Sequence, residues 1–318
     1  MPDEPAVCAG EEAQEGECKA CGGVINLRRK HIHDQFWCPS RSRDTDTVEE
    51  EDESKEDSGG ASSAHIRAAC MQPTFHNIIT VNLGSMPLSF RLEQQDIFGP
   101  LSTGGALWAG ELVLAEWLVL ELEHLRGKRS QDWPLKVVEL GCGSCPVAGM
   151  VAAALGCREV VLTDLREVLP AVRHNVGLNR SALVEAATQS FRTLGHMRVE
   201  ELSWGAHACL GGGSDTDTPL DLVICSDCVF RKDLHPLLAD TLLSLLLPGS
   251  AALLAYQQRD TEVEAAFFCE LDQRALAYDR LDLNEVLEVI RGSWLQESAD
   301  AASPPLEECY RLFCITAA

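Results

Sequence analysis

Residues 137–156 read VVELGCGSCPVAGMVAAALG: a β-branched run, a turn with glycine at 141 and 143, then an alanine-rich helical segment. Gly141 and Gly143 let the backbone leave a strand sharply and come close to a ligand. Pro146 stands where the following helix should begin, a position that tolerates a missing N–H. The next strand, EVVLT (Glu159 to Thr163), runs into Asp164, 21 residues after Gly143. In a strand–turn–helix–strand unit that spacing places a carboxylate where it can accept both ribose hydroxyls of an adenosine cofactor. Pyrophosphate would fit poorly, because the third fingerprint position is Pro146 and an acid, Glu139, precedes the turn. A cofactor with a sulfonium and an ammonium tolerates that acid, so the turn favours a methyl donor over a dinucleotide.

Outward from this unit, strand and helix patterns alternate. Lys136 to Leu140, Asp221 to Cys225, Ser250 to Tyr256 and Tyr310 to Thr316 read as further strands, and the alternation argues for an α/β fold with a parallel sheet covered on both faces. Leu165, Val168, Leu169, Val172 and Val176 form one helical stripe with Pro170 as an expected kink, and Leu234, Leu237, Leu238 and Leu245 form another. Cys142-x-x-Cys145 and Cys225-x-x-Cys228 follow strands expected to be neighbours. They offer a competing zinc reading against the commoner fate of cysteine as a small buried side chain.

Before residue 70 the composition changes. Residues 1–40 carry Cys18-x2-Cys21-x11-His33-x4-Cys38, ligand types and spacing close to a CCHC zinc finger; a unit so short needs metal to fold. Residues 41–69 include the run SRDTDTVEEEDESKEDSGGASS, without apolar period, and read as an acidic, disordered linker. Residues 70–318 form the third zone. The net charge of −23 argues against a nucleic-acid partner, which would want a positive field. The N-terminus lacks a secretory pattern, the leucine run 237–247 is half a membrane span, and the 14 cysteines show no disulfide framework. These features together suggest no membrane contact and a cytoplasmic, also nuclear, reducing setting.

Leu107-Trp108, ELGCG (139–143), VVLTD (160–164), Arg173-His174-Asn175-Val176, LSWG (202–205) and DLVICSDCVF (221–230) together resemble the seven-strand protein-lysine methyltransferases of the methyltransferase-like 21 group. Within that group, Ser226 to Arg259 is most similar to the branch acting on the valosin-containing-protein ATPase. The resemblance covers about 75–316. It implies a Rossmann-like, seven-stranded, mostly parallel sheet, S-adenosylmethionine as cofactor, and a protein substrate bearing a target lysine, with an AAA-type ATPase or chaperone as the model. Carried over by residue, Trp108 lines the cofactor site, Gly141, Cys142 and Gly143 form its loop, and Asp164 binds the ribose. Trp204 flanks the adenine and Ser226 contacts the cofactor. Asp227 opens an Asp-x-x-Tyr motif facing the methyl group and incoming lysine, and Phe230 stands at the tyrosine. Cys145 and Phe230 depart from the group pattern. A small-molecule methyltransferase and a scaffold that has kept the fold remain as alternatives.

Overall fold

A computed structural model describes residues 15–17, 24–26, 78–95, 102–128, 135–205, 220–294 and 310–317. The chain divides into two units, Met1–Ala61 and Ser62–Ala318. In the first, β1 (Glu15–Glu17) and β2 (Val24–Asn26) pair antiparallel. The expected ligands Cys18, Cys21, His33 and Cys38, and the acidic segment 41–69, lie outside the described residues.

The second unit begins with an antiparallel pair, β3 (Ile78–Asn82) and β4 (Ser89–Glu93). A seven-stranded sheet follows, built from β5 (Lys136–Leu140), β6 (Glu159–Asp164), β7 (His196–Glu201), β8 (Leu222–Ser226), β9 (Ala251–Gln257), β10 (Leu276–Arg280) and β11 (Tyr310–Ala317). Their spatial order is β10-β11-β9-β8-β5-β6-β7. The pairs from β9 through β7 are parallel, and β11 alone runs against its neighbours. The chain works outward from β5 to β7 and then returns to start β8 on the other side of β5. That reversal is a switch point, where two loops diverge and leave a crevice at the carboxyl ends of the strands.

Helices cover both faces: α1 (Ala109–Lys128), α2 (Val147–Ala154), α3 (Leu169–Gln189), α4 (His235–Leu245), α5 (Thr261–Gln273) and α6 (Asn284–Trp294). β5 is buried along its whole length, as a central parallel strand covered on both sides must be. Successive side chains of a strand point to opposite faces. Val137 accordingly packs with α1, α2, α3 and α6, whereas Val138 and Leu140 pack with α4 and α5.

Two helical expectations need correction. α3 starts at Leu169, so Leu165 is outside it and 47% exposed, and Pro170 sits in the first turn, where it kinks nothing. In α4 the inward stripe is Leu238, Leu242 and Leu245, and Leu237 is 41% exposed. Strands β7 and β10 and the β3–β4 pair were not foreseen. α3 holds β4 through side-chain amides one turn apart. Asn175 accepts from the Glu93 N–H (2.8 Å) and donates to its carbonyl (2.9 Å), and Asn179 does the same for Arg91 (2.8 Å each way). The two asparagines thus act as a substitute strand along the free edge of β4. Among the described residues no helix is long and apolar enough to cross a membrane, and all seven cysteines are free thiols.

Candidate active site

The turn after β5 has the conformation its glycines foretell: φ is +60° at Gly141 and +59° at Gly143, a region that side-chain-bearing residues rarely adopt. Close approach also demands glycine. A Cβ on Gly141 would lie 2.8 Å from the Trp204 ring, and one on Gly143 would lie 3.3 Å from the Gly104 carbonyl. Asp164, at the end of β6, accepts from the Gly143 N–H (2.8 Å) and the Leu165 N–H (2.7 Å). Burial raises its pKa, and those two bonds pull it back down. Cys142 contributes backbone, its N–H donating to the Thr163 carbonyl (3.0 Å) while its thiol is buried. Opposite lies the turn Ser102–Gly105, whose Gly104 and Gly105 carbonyls accept from the Ser144 N–H (2.7 Å) and hydroxyl (2.9 Å).

Across the switch point, the end of β8 meets α1. Asp227 is a buried non-glycine residue at φ +48°, a strained conformation of the kind that recurs at functional sites. Its carboxylate accepts from the Gly110 N–H (2.7 Å), in the first turn of α1, and from the Gln257 N–H (3.0 Å), while Arg259 lies 3.6 Å away. The Arg259 guanidinium also sits 4.8 Å over the Trp108 ring, and the Trp108 indole donates to the Thr103 carbonyl (2.8 Å). Phe230, three residues further on, is 37% exposed. Trp108, Asp227 and Arg259 therefore form one charged and aromatic wall, and Asp227 also caps α1 in trans.

Ser226 leads to a feature the sequence reading missed. Its hydroxyl donates to Glu111 of α1 (2.5 Å), whose other oxygen accepts from the Ala148 N–H at the start of α2 (2.6 Å). Glu139 of β5 is the second acid here. Glu111 and Glu139 are 3% and 1% exposed. Burial pushes Glu111 up to about 7; burial and then the facing Glu111 push Glu139 well above the usual carboxylate range. Glu111 shares the run following Trp108 with Glu116, and nothing in the sequence marks it, because its partner lies 115 residues away. Gly104, Gly105 and Arg259 were likewise not singled out as site residues.

The competing zinc reading is overturned. Cys142, Cys145, Cys225 and Cys228 turn to four separate carbonyls, those of Gly143, Glu93, Leu253 and Leu140, at 3.4–3.9 Å. Among the described residues no cluster of histidine, cysteine or acid could hold a metal ion. Burial raises all four thiol pKa values, the reverse of what a metal-binding thiolate needs.

S-adenosylmethionine fits these residues. Two left-handed glycines leave room for close approach, Asp164 offers carboxylate oxygens, and the crevice floor is acidic, which suits a cation and repels phosphate. Strand order and this floor define a Rossmann-like methyltransferase domain. The lysine methyltransferase family model matches residues 89–274, more than half of the chain. The chain belongs to that family. A C2HC zinc finger model matches residues 7–39. Among curated relatives, calmodulin-lysine N-methyltransferase of Arabidopsis thaliana is 30% identical over 174 residues, 54% of this chain and 50% of its own. Protein-lysine N-methyltransferase EFM6 of Saccharomyces cerevisiae is 27% identical, covering 59% of this chain and 75% of its own. EEF1A lysine methyltransferase 3 of Xenopus tropicalis is 26% identical, covering 59% and 73%. The chain thus spans about half the length of the first of these relatives.

Proposed function

We propose that this chain is an S-adenosylmethionine-dependent methyltransferase that modifies a lysine side chain on a non-histone protein. The observation that carries the reading is the juxtaposition, across one switch point, of the Gly141–Gly143 loop bonded to Asp164 and the strained, anchored carboxylate of Asp227. Membership of the lysine methyltransferase family supports it.

Gly141, Cys142, Gly143 and Asp164 would hold the cofactor's adenosine end, with Trp204 and Trp108 as apolar walls and Ser226 beside the loop. When bound, the cofactor supplies an electrophilic methyl group on a cationic sulfur. A lysine amine, with a pKa of about 10.4, must shed a proton before it can attack, and a site achieves this by desolvation and by a path for the proton. Asp227 is pinned by two backbone N–H groups, so it presents a fixed anion that orients the incoming amine. Phe230 keeps an aromatic face against the lysine stem without the hydroxyl of the group pattern. A fixed acceptor costs no reorganisation when the amine arrives.

The likeness of Ser226 to Arg259 to the branch acting on an AAA-type ATPase makes such an ATPase or a chaperone the first substrate to try. The names of the relatives add calmodulin and elongation factor 1A as candidates. Zinc in the 7–39 module and a cytoplasmic and nuclear location belong to the same reading. The test is incubation of the pure protein with methyl-labelled S-adenosylmethionine and a cell lysate. The expected result is one labelled protein band with the label on lysine. Label confined to the small-molecule fraction would replace this reading with small-molecule methylation, and no cofactor binding by calorimetry would replace it with a scaffold.

A further inference from the structure

Among the described residues no basic side chain partners the acid pair beneath the glycine loop. Glu139 is 1% exposed, and its carboxyl meets the Glu111 carboxyl and the Gly149 backbone. It projects from β5 toward α2, where a Cβ on Gly149 would lie 2.3 Å from it; α2 carries no charged side chain. From α1, Glu111 faces it, held by the Ala148 N–H and the Ser226 hydroxyl. Asp227 at the end of β8 acts on Glu111 and Asp164 at the end of β6 acts on Glu139, again acids, and the buried thiols of Cys142, Cys145, Cys225 and Cys228 feel the pair in turn. Among the described residues the cation this network reaches is Arg259, on the far side of Asp227 at 3.6 Å. Two buried carboxyls this close cannot both ionise without a positive charge to compensate them, so one proton stays on the pair.

We infer that Glu111 and Glu139 form a proton-holding pair that makes the site prefer the cationic methyl donor over the neutral-sulfur product. This rests on the proposed function. In the free protein Glu139 keeps its proton and Glu111 takes up a second as the pH falls. A sulfonium in the crevice favours ionised Glu111, whose proton leaves to solvent. Once the sulfur is a neutral thioether that attraction is gone, Glu111 is reprotonated from solvent, and the product is held less tightly. The ammonium is common to donor and product, so the difference between them isolates the sulfur's charge.

The test is calorimetry of the full chain with S-adenosylmethionine and with S-adenosylhomocysteine, in buffers of different ionisation enthalpy, from pH 6 to pH 8. With Glu111 near 7, the ratio of donor to product affinity should rise by up to about tenfold across that range, with net proton release for the donor. In Glu111→Gln, which keeps the acceptor for Ala148 and the contact to Ser226, the ratio should become independent of pH. Carbon-13 NMR of labelled glutamate in the ligand-free protein should show one carboxyl titrating near neutral pH and absent from Glu111→Gln. This measurement needs neither ligand nor turnover. Donor binding with a ratio flat in pH, or no glutamate titrating above pH 6, overturns the pair while leaving the methyltransferase reading intact. Failure to bind either ligand overturns both.

Discussion

The two sides of the crevice are built differently. On the donor side the essential parts fall within one stretch, 141–164, and are set by backbone: two left-handed glycines and a carboxylate bonded to a loop N–H. On the acceptor side they come from α1, the end of β8 and the end of β9, and meet at Asp227, whose bond to the Gly110 N–H spans 117 residues. Changes on the donor side should therefore act on cofactor affinity, because the loop's shape is what they alter. Those on the acceptor side should act on turnover, because Asp227 and its neighbours are held in place for the substrate amine.

Asp227→Ala should break the comparison most sharply. Removing a positioned group of this kind costs on the order of 10²–10⁴ in turnover, and with the loop intact the calorimetric affinity for S-adenosylmethionine should change by less than about fivefold. If turnover is unchanged, Asp227 has no part in the chemistry; if affinity collapses equally, the two sides are one unit. Gly141→Ala should give the converse. A Cβ there meets the Trp204 ring at 2.8 Å at a φ of +60°. Strain of about 1–3 kcal/mol corresponds to a loss of donor affinity of roughly 5- to 150-fold, with turnover at saturating donor nearly retained.

The same division explains what could be read in advance. The strands β5, β6 and β8 were legible because buried parallel strands leave dense apolar runs, β9 because the alternation required a strand after the turn Pro248-Gly249, and β11, which runs antiparallel, from its run YRLFCIT; the glycine turn was legible because only glycine suits its φ. β7 is HMRVEE and β10 is LAYDR, half-exposed edge-region strands with no such run. Glu111 and Arg259 were silent because a single residue's role here depends on partners that only the fold brings near. Asn175 illustrates the limit: its place in a motif was visible, but its task, holding β4 together with Asn179, needed the β3–β4 pair, which the sequence pattern did not show.

That clamp supplies the next prediction. Asn175→Ala leaves the Glu93 N–H and carbonyl and the Ser144 carbonyl without their amide partner. Buried groups left unpaired cost about 1–3 kcal/mol, to be read as a lower urea midpoint at unchanged m-value. Asn179→Ala should cost a similar amount through Arg91. The double variant should lose less than the sum, since Asn179 also donates to the Asn175 carbonyl (2.8 Å) and both hold one strand.

The smallest effect tests whether the face away from α1 is as dry as its packing implies. His235, the first residue of α4, is 1% exposed and stacks edge-on against Phe267 at 5.4 Å, with the Val229 backbone beside its ring. Burial lowers its pKa below the ordinary 6.5. A histidine whose folded pKa lies below its unfolded value binds protons preferentially in the unfolded chain, so its contribution to stability is complete above about pH 6.5 and declines as the pH falls from there toward the folded value. His235→Phe removes the titrating group and keeps the ring against Phe267. Its urea midpoint relative to the parent should therefore be higher at pH 5.5 than at pH 7.5. A difference that does not vary with pH would mean that water or an unrecognised acceptor reaches the imidazole, and that this side of the sheet is wetter than its packing implies.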